Sequence, residues 1–168
     1  MSFFILIFSF ICISPQLHAT SETTEKPIRV YVDMVADLFH AGHVNFLKQA
    51  HAHGDYLIVG LHSDEVCTDY KRKPILTLEE RIASVSACRY VDEVISHAPL
   101  VVTDEYLDKH KIDVVIHGDD FDEEIIRRFY GAPIDRGIFK TVPYTEGIST
   151  SEILRRILSR KSEELFSK

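Results

Sequence analysis

His40 and His43 stand three residues apart, where an alternating β-branched and aromatic run over 28–33 gives way to a segment that sets Val44, Leu47 and Ala50 on one helical face. The pattern predicts a strand, a short loop and a helix, with His40 just before the helix and His43 in its first turn. Unpaired N–H groups and the positive end of the helix dipole attract an anion at such a place. Two imidazoles on the same side add directional donors, so the pair suits phosphate handling. Metal binding is a competing reading, with His51 and His53 as further ligands, although those two fall near the far end of the helix. Isolated histidines are also often ordinary core or surface residues.

Three other segments carry groups that act on anions. Lys71, Arg72 and Lys73 form a basic group that composition alone reads as a solvated loop. Gly147 to Ser151 lies ahead of Glu152, Ile153 and Leu154, so hydroxyls and N–H groups gather at a second helix start, where an N-cap explains them equally well. His117, Gly118, Asp119 and Asp120 follow a predicted strand, and two carboxylates at a turn are commonly solvated.

These groups must be positioned by an alternating strand and helix pattern. Further apolar runs over 57–61, 91–95, 114–117 and 138–142 read as strands, and the Thr77 and Glu80 pair predicts a capping box opening a helix from Leu78 to Tyr90. The arrangement predicts a single α/β domain over 28–160, a doubly wound parallel sheet of about five strands with ligand outside its carboxyl ends. A chain of 168 residues with 45% hydrophobic content supports one sizeable core, and no internal repeat or low-complexity tract occurs. The net charge of −7 argues against nucleic acid as partner. Ile153, Leu154, Ile157, Leu158 and Leu165 give the last helix an apolar stripe, read as docking on the sheet in preference to a membrane.

Residues 1–19 form an apolar leader that resembles a secretory signal, 20–27 a polar linker and 161–168 a tail. Membrane contact is expected only through that leader, if retained. Cys12 lies within it, and Cys67 and Cys88 are expected to be free thiols.

Several blocks in shared order resemble the cytidylyltransferases that activate alcohol phosphates. They are Asp37 to His43 (DLFHAGH), Gly54 to Glu65, Glu80 with Arg81, Arg89 to Val94, and Thr145 to Ser151. The resemblance spans residue 28 to about 160 and implies a small Rossmann-like sheet, transfer of CMP from CTP to phosphoethanolamine, glycerol 3-phosphate or phosphocholine, Mg²⁺ accompanying CTP, and a homodimer. It implies that His40, His43 and Lys71 are catalytic. Nucleotide contacts would come from Val35, Ala36, Asp37, Arg89, His117, Asp119, Tyr144, Thr145, Gly147, Ile148, Ser149 and Thr150, and acceptor contacts from Asp33, Lys71, Leu100 and Asp120. Leu100 stands where phosphocholine enzymes resemble one another in an aromatic residue, which disfavours choline, and His97 to Pro99 with His117 to Asp120 look more like phosphoethanolamine enzymes, so that acceptor ranks first, then glycerol 3-phosphate. No metal-ligating residue is expected from the chain itself.

Three residues depart from the family pattern: Met34 at a usual glycine, Ala36 at a usual phenylalanine, and Tyr144 where many members have arginine. Tyrosine offers one donor in place of a charged bidentate fork, which implies weaker CTP binding or another nucleotide. An adenylyltransferase of the same superfamily and a non-catalytic nucleotide-binding domain are the alternatives. The signal-like leader suggests export or membrane attachment, whereas a CTP-dependent reaction suggests the cytoplasm.

Overall fold

Val30, Val32, Leu57 and Val59 turn to one side of the sheet while Tyr31, Ile58 and Val115 turn to the other, so each central strand buries both of its faces. The computed structural model describes residues 26–120 and 122–160. The apolar leader, linker residues 20–25 and the 161–168 tail lie outside the described residues. In chain order the elements are β1 (Arg29–Met34), α1 (Ala41–His51), β2 (Tyr56–Leu61), α2 (Asp64–Tyr70), α3 (Leu78–Ser86), β3 (Glu93–Ser96), α4 (Asp104–His110), β4 (Val114–Gly118), α5 (Glu123–Phe129), α6 (Gly131–Asp135), β5 (Phe139–Val142) and α7 (Thr150–Ser159).

All strand pairs are parallel and the order is β3-β2-β1-β4-β5. The chain winds outward from β1 through β2 to β3, then crosses to β4 on the other side. The gap beyond the carboxyl ends of β1 and β4 is therefore the topological switch point, where such folds bind ligands. Leu47 and Ala50 of α1 and Val85 of α3 pack on one face, and Leu107 of α4 and Phe129 of α5 on the other.

The five expected strands all form, with ends displaced by one or two residues. Two helical expectations are corrected. The capping box at Thr77 and Glu80 is present, but α3 stops at Ser86 and not at Tyr90. Cys88 donates to Val85 O and Val91 to Cys88 O, tightening the chain so that Asp92 can exchange bonds with Leu57 beside β2. Entry into the sheet outweighs helix continuation. The last helix, α7, buries none of its residues, and Ile157 and Leu158 are 49% and 83% exposed, so it does not dock fully on the sheet. Its position is fixed at its first turn, where Thr150 Oγ1 donates to Asp37 O at 2.8 Å.

Cys67 and Cys88 are free thiols, and burial raises the Cys67 pKa. No helix among the described residues is long and apolar enough to cross a membrane.

Leu47 is completely buried and anchors the helix that begins at the histidine pair. Leu47→Ala should cost about 2–5 kcal/mol of stability, read as a lowered urea midpoint in equilibrium unfolding.

Candidate active site

His40 is the N-cap of α1, with extended backbone, and its Nδ1 accepts from Gly42 N at 3.1 Å. His43, in the first turn, returns the arrangement: its Nδ1 accepts from His40 N at 3.3 Å. The rings stack with centroids 3.9 Å apart. An Nδ1 that accepts must be unprotonated, so in each neutral ring the hydrogen is assigned to Nε2, which becomes a donor. Local sequence thus does two things at once, capping a helix and presenting two N–H groups beside its positive end. Gly42 permits this: a Cβ there would lie 3.0 Å from the His40 ring.

The loop leading to the pair is unusual in its backbone. Ala36 and Leu38 have φ of 58° and 48°, a left-handed conformation uncommon for residues with side chains. Neighbouring contacts hold it. Arg81, wholly buried, donates to Val35 O and His62 O and pairs with Asp64. The buried Asp37 carboxylate accepts from the backbone of Ile75 and Leu76, tying the loop to the segment after α2.

A cavity of about 280 Å³ opens at the switch point. His40, His43, Val35, Ala36 and Asp37 line it on the α1 side, and Thr145, Ile148, Ser149 and Thr150 bring the start of α7 to the same wall. Lys71 and Tyr144 border it. Asp33, Leu100, His117 and Asp120 form the other half, together with Tyr70, Phe129 and Tyr130.

In that second half, period-two geometry brings distant residues together. Tyr31 pairs with Val115, so Asp33 and His117, two places further along neighbouring strands, share a face. His62, just past β2, falls on it too, with Nε2 4.0 Å from Asp33 Oδ1 and Nδ1 3.1 Å from Ala98 O. Tyr130 donates to Asp33 Oδ1, while Asp33 Oδ2 is buried with no partner. Burial raises the Asp33 pKa, opposed by His62 and the Tyr130 bond. The Tyr130 hydroxyl, buried beside that carboxyl, is held protonated well above its ordinary value.

Three expected contact residues do not line the cavity. Arg89 is exposed in the turn after α3, with its guanidinium carbon 5.9 Å from the Tyr90 ring centroid. Asp119 supports the wall from behind by accepting from Tyr144 N at 2.8 Å. Gly147, at φ +80°, makes the turn into α7. His62, Tyr130 and Arg81 are among the site residues that the sequence alone did not assign, as are Tyr70, Arg72 and Phe129. Tyr130 has no local signal, whereas His62 and Arg81 fall within blocks already singled out by resemblance.

An open parallel sheet with a helix-capping histidine pair and a second helix start at its switch point defines a Rossmann-like nucleotidyltransferase fold. The chain belongs to the cytidylyltransferase-like family, whose model matches residues 34–156. It is 47% identical over 137 residues to ethanolamine-phosphate cytidylyltransferase of Dictyostelium discoideum, covering 79% of this chain and 38% of that protein. It is 41% identical over 151 residues to choline-phosphate cytidylyltransferase 2 of Arabidopsis thaliana, covering 82% and 47%. The chain thus spans less than half the length of these two relatives. Among solved structures, a lipopolysaccharide core biosynthesis protein from Thermoplasma volcanium superposes with a TM-score of 0.58 at 27% identity, covering 73% of this chain and 100% of that one.

Burial and the neighbouring His40 push the His43 pKa from 6.5 to about 4, against an opposing pull from Asp37, and burial lowers His40 as well. Between those two His43 values the unfolded chain binds the additional proton, so stability should fall as pH drops from about 6.5 toward 4. An NMR titration should place the His43 midpoint near 4. His43→Asn should also weaken the acid-induced decrease in Tm.

Proposed function

We propose that the chain transfers CMP from CTP to an alcohol phosphate, phosphoethanolamine first, then glycerol 3-phosphate or phosphocholine, releasing pyrophosphate, as a step of phospholipid precursor synthesis. The observation carrying this reading is the His40 and His43 pair, with both Nδ1 atoms committed to backbone N–H groups and both Nε2 donors left for substrate. In the reaction a phosphomonoester oxygen forms a bond to the α-phosphorus as the bond to the bridging oxygen of pyrophosphate breaks. The nucleophile, with a second pKa near 6, is largely dianionic at neutral pH, so no strong base is required. The protein's task is to hold several anions together and stabilise charge on the phosphoryl oxygens.

The two halves of the cavity divide that task. Neutral imidazole donors and the start of α7 face the triphosphate, with the Val35 and Ala36 backbone and Asp37 shaping the loop. Lys71, on the cavity rim, lies between the substrates in this reading. Asp33 faces the acceptor. Its unpartnered Oδ2 is a buried acceptor requiring a donor, which a primary ammonium supplies and a trimethylammonium cannot. Leu100 lines the same half in place of an aromatic, and His117 and Asp120 complete its polar rim.

Mg²⁺ accompanies CTP in this reading and neutralises its phosphate charge. Among the described residues no group of three or more His, Cys, Asp or Glu side chains is arranged to hold a metal ion. Mg²⁺ arriving with CTP would be held by nucleotide phosphates and water, a usual arrangement for this cation.

The test incubates the purified full chain with Mg²⁺, CTP or ATP, and each acceptor in turn, following pyrophosphate release. CTP with phosphoethanolamine should give the highest kcat/KM, and CTP binding without release under any acceptor would refute catalysis. His43→Ala should lower turnover at least about a hundredfold, the loss typical of one transition-state donor. Asp33→Asn should raise KM for phosphoethanolamine by on the order of tenfold or more, the value of a charged hydrogen bond, with less effect on glycerol 3-phosphate.

A further inference from the structure

Arg29, Arg81, Arg127, Arg136, Arg155 and Arg156 each pair with a carboxylate. Arg72 does not. Its one side-chain hydrogen bond among the described residues runs from Nη1 to Ser151 Oγ, at 3.4 Å a long contact with a neutral group. Guanidinium has five N–H donors, so most of its capacity is unspent.

Arg72 is an exposed residue whose backbone is anchored by its surroundings. The backbone N–H groups of Lys71 and Arg72 both donate to Cys67 O, at 2.9 and 3.0 Å, anchoring the residue to the end of α2. Ser151 belongs to the first turn of the ten-residue α7, which Thr150 pins to the loop before the histidine pair. A Cβ on Gly42 would lie 3.4 Å from Ile148, so the starts of α1 and α7 are neighbours. Arg72 thus reaches the α7 side of the cavity, away from the Asp33 half. Of the described residues lining the cavity, only Arg72 and Lys71 carry permanent positive charge, and Arg72 is the only guanidinium. Tyr144, on the same wall, is neutral.

We propose that Arg72 binds the β- and γ-phosphates of the nucleotide, clamping the departing pyrophosphate against the start of α7 and supplying from the α2 side the charged fork that Tyr144 does not provide. A planar fork matches two phosphate oxygens, which a lysine at this place does not reproduce. Charge accumulates on the pyrophosphate as the α-phosphorus bond breaks, and Arg72 stabilises that charge without transferring a proton. The assignment rests on the cavity being a nucleotide site, and its test separates the two.

Calorimetric titration of the full chain with inorganic pyrophosphate, CTP and CMP is compared for wild type, Arg72→Gln, Arg72→Lys and the Arg72→Gln, Tyr144→Arg double variant. Arg72→Gln should weaken pyrophosphate and CTP by about tenfold or more, the value of one charge-assisted hydrogen bond, and leave CMP within about twofold. Arg72→Lys should recover part of the loss, and Tyr144→Arg should restore pyrophosphate binding in the Arg72→Gln background. Unchanged pyrophosphate affinity in Arg72→Gln, equal losses for pyrophosphate and CMP, or a wild-type chain that does not bind pyrophosphate overturns the assignment. If pyrophosphate binding depends on Arg72 but no acceptor receives CMP, the assignment stands and the transferase reading fails.

Discussion

A single wholly buried guanidinium holds the two loops from which the site is built. Arg81 reaches from α3 under the carboxyl edge of the sheet, where it donates to Val35 O and to His62 O, and Asp64 balances its charge. Leaving such a charge buried without partners is strongly unfavourable, so these contacts stand or fall together. They restrain the left-handed backbone at Ala36, and with it the approach to His40. Asp37 repeats the device with opposite charge, binding the backbone of Ile75 and Leu76. Strain in the loop is tolerated because it is fastened on both sides.

This rigidity explains how two histidines can stack 3.9 Å apart. Two imidazolium ions at that distance would repel, and burial disfavours charge further. Neutral rings avoid both penalties. Their Nδ1 atoms satisfy helix N–H groups, and the Nε2 donors remain on the cavity wall. The positive potential comes from the two helix starts and from Lys71 and Arg72, which sit on a different segment and are not constrained to stack. Charge and direction are supplied by different groups.

The half of the cavity around Asp33 follows a different logic. Asp33, His62 and His117 stand at successive strand ends on one face, and Tyr130 closes over them from the segment between α5 and α6. An unfilled carboxylate oxygen in such surroundings is costly unless a ligand completes it. Stability and recognition are thus in tension at this carboxyl group.

Features whose causes lie within a few residues were legible from the sequence alone. The first strand followed from alternation and the other four from apolar runs, the start of α3 from Thr77 and Glu80, and the histidine pair from its place ahead of an apolar helical face. Features that depend on register or on a competing long-range contact were not. The end of α3 depends on Asp92 meeting Leu57 in the sheet, a contact that no pattern within the helix reveals. Tyr130 lies 97 residues from the carboxylate it contacts, so no local pattern could join them. Likewise, only the tertiary structure decided that Arg81 is buried, that the second half of α7 remains exposed, and that Arg72 reaches Ser151. Side-chain period fixes which face a residue occupies, but strand order and packing fix what it meets there.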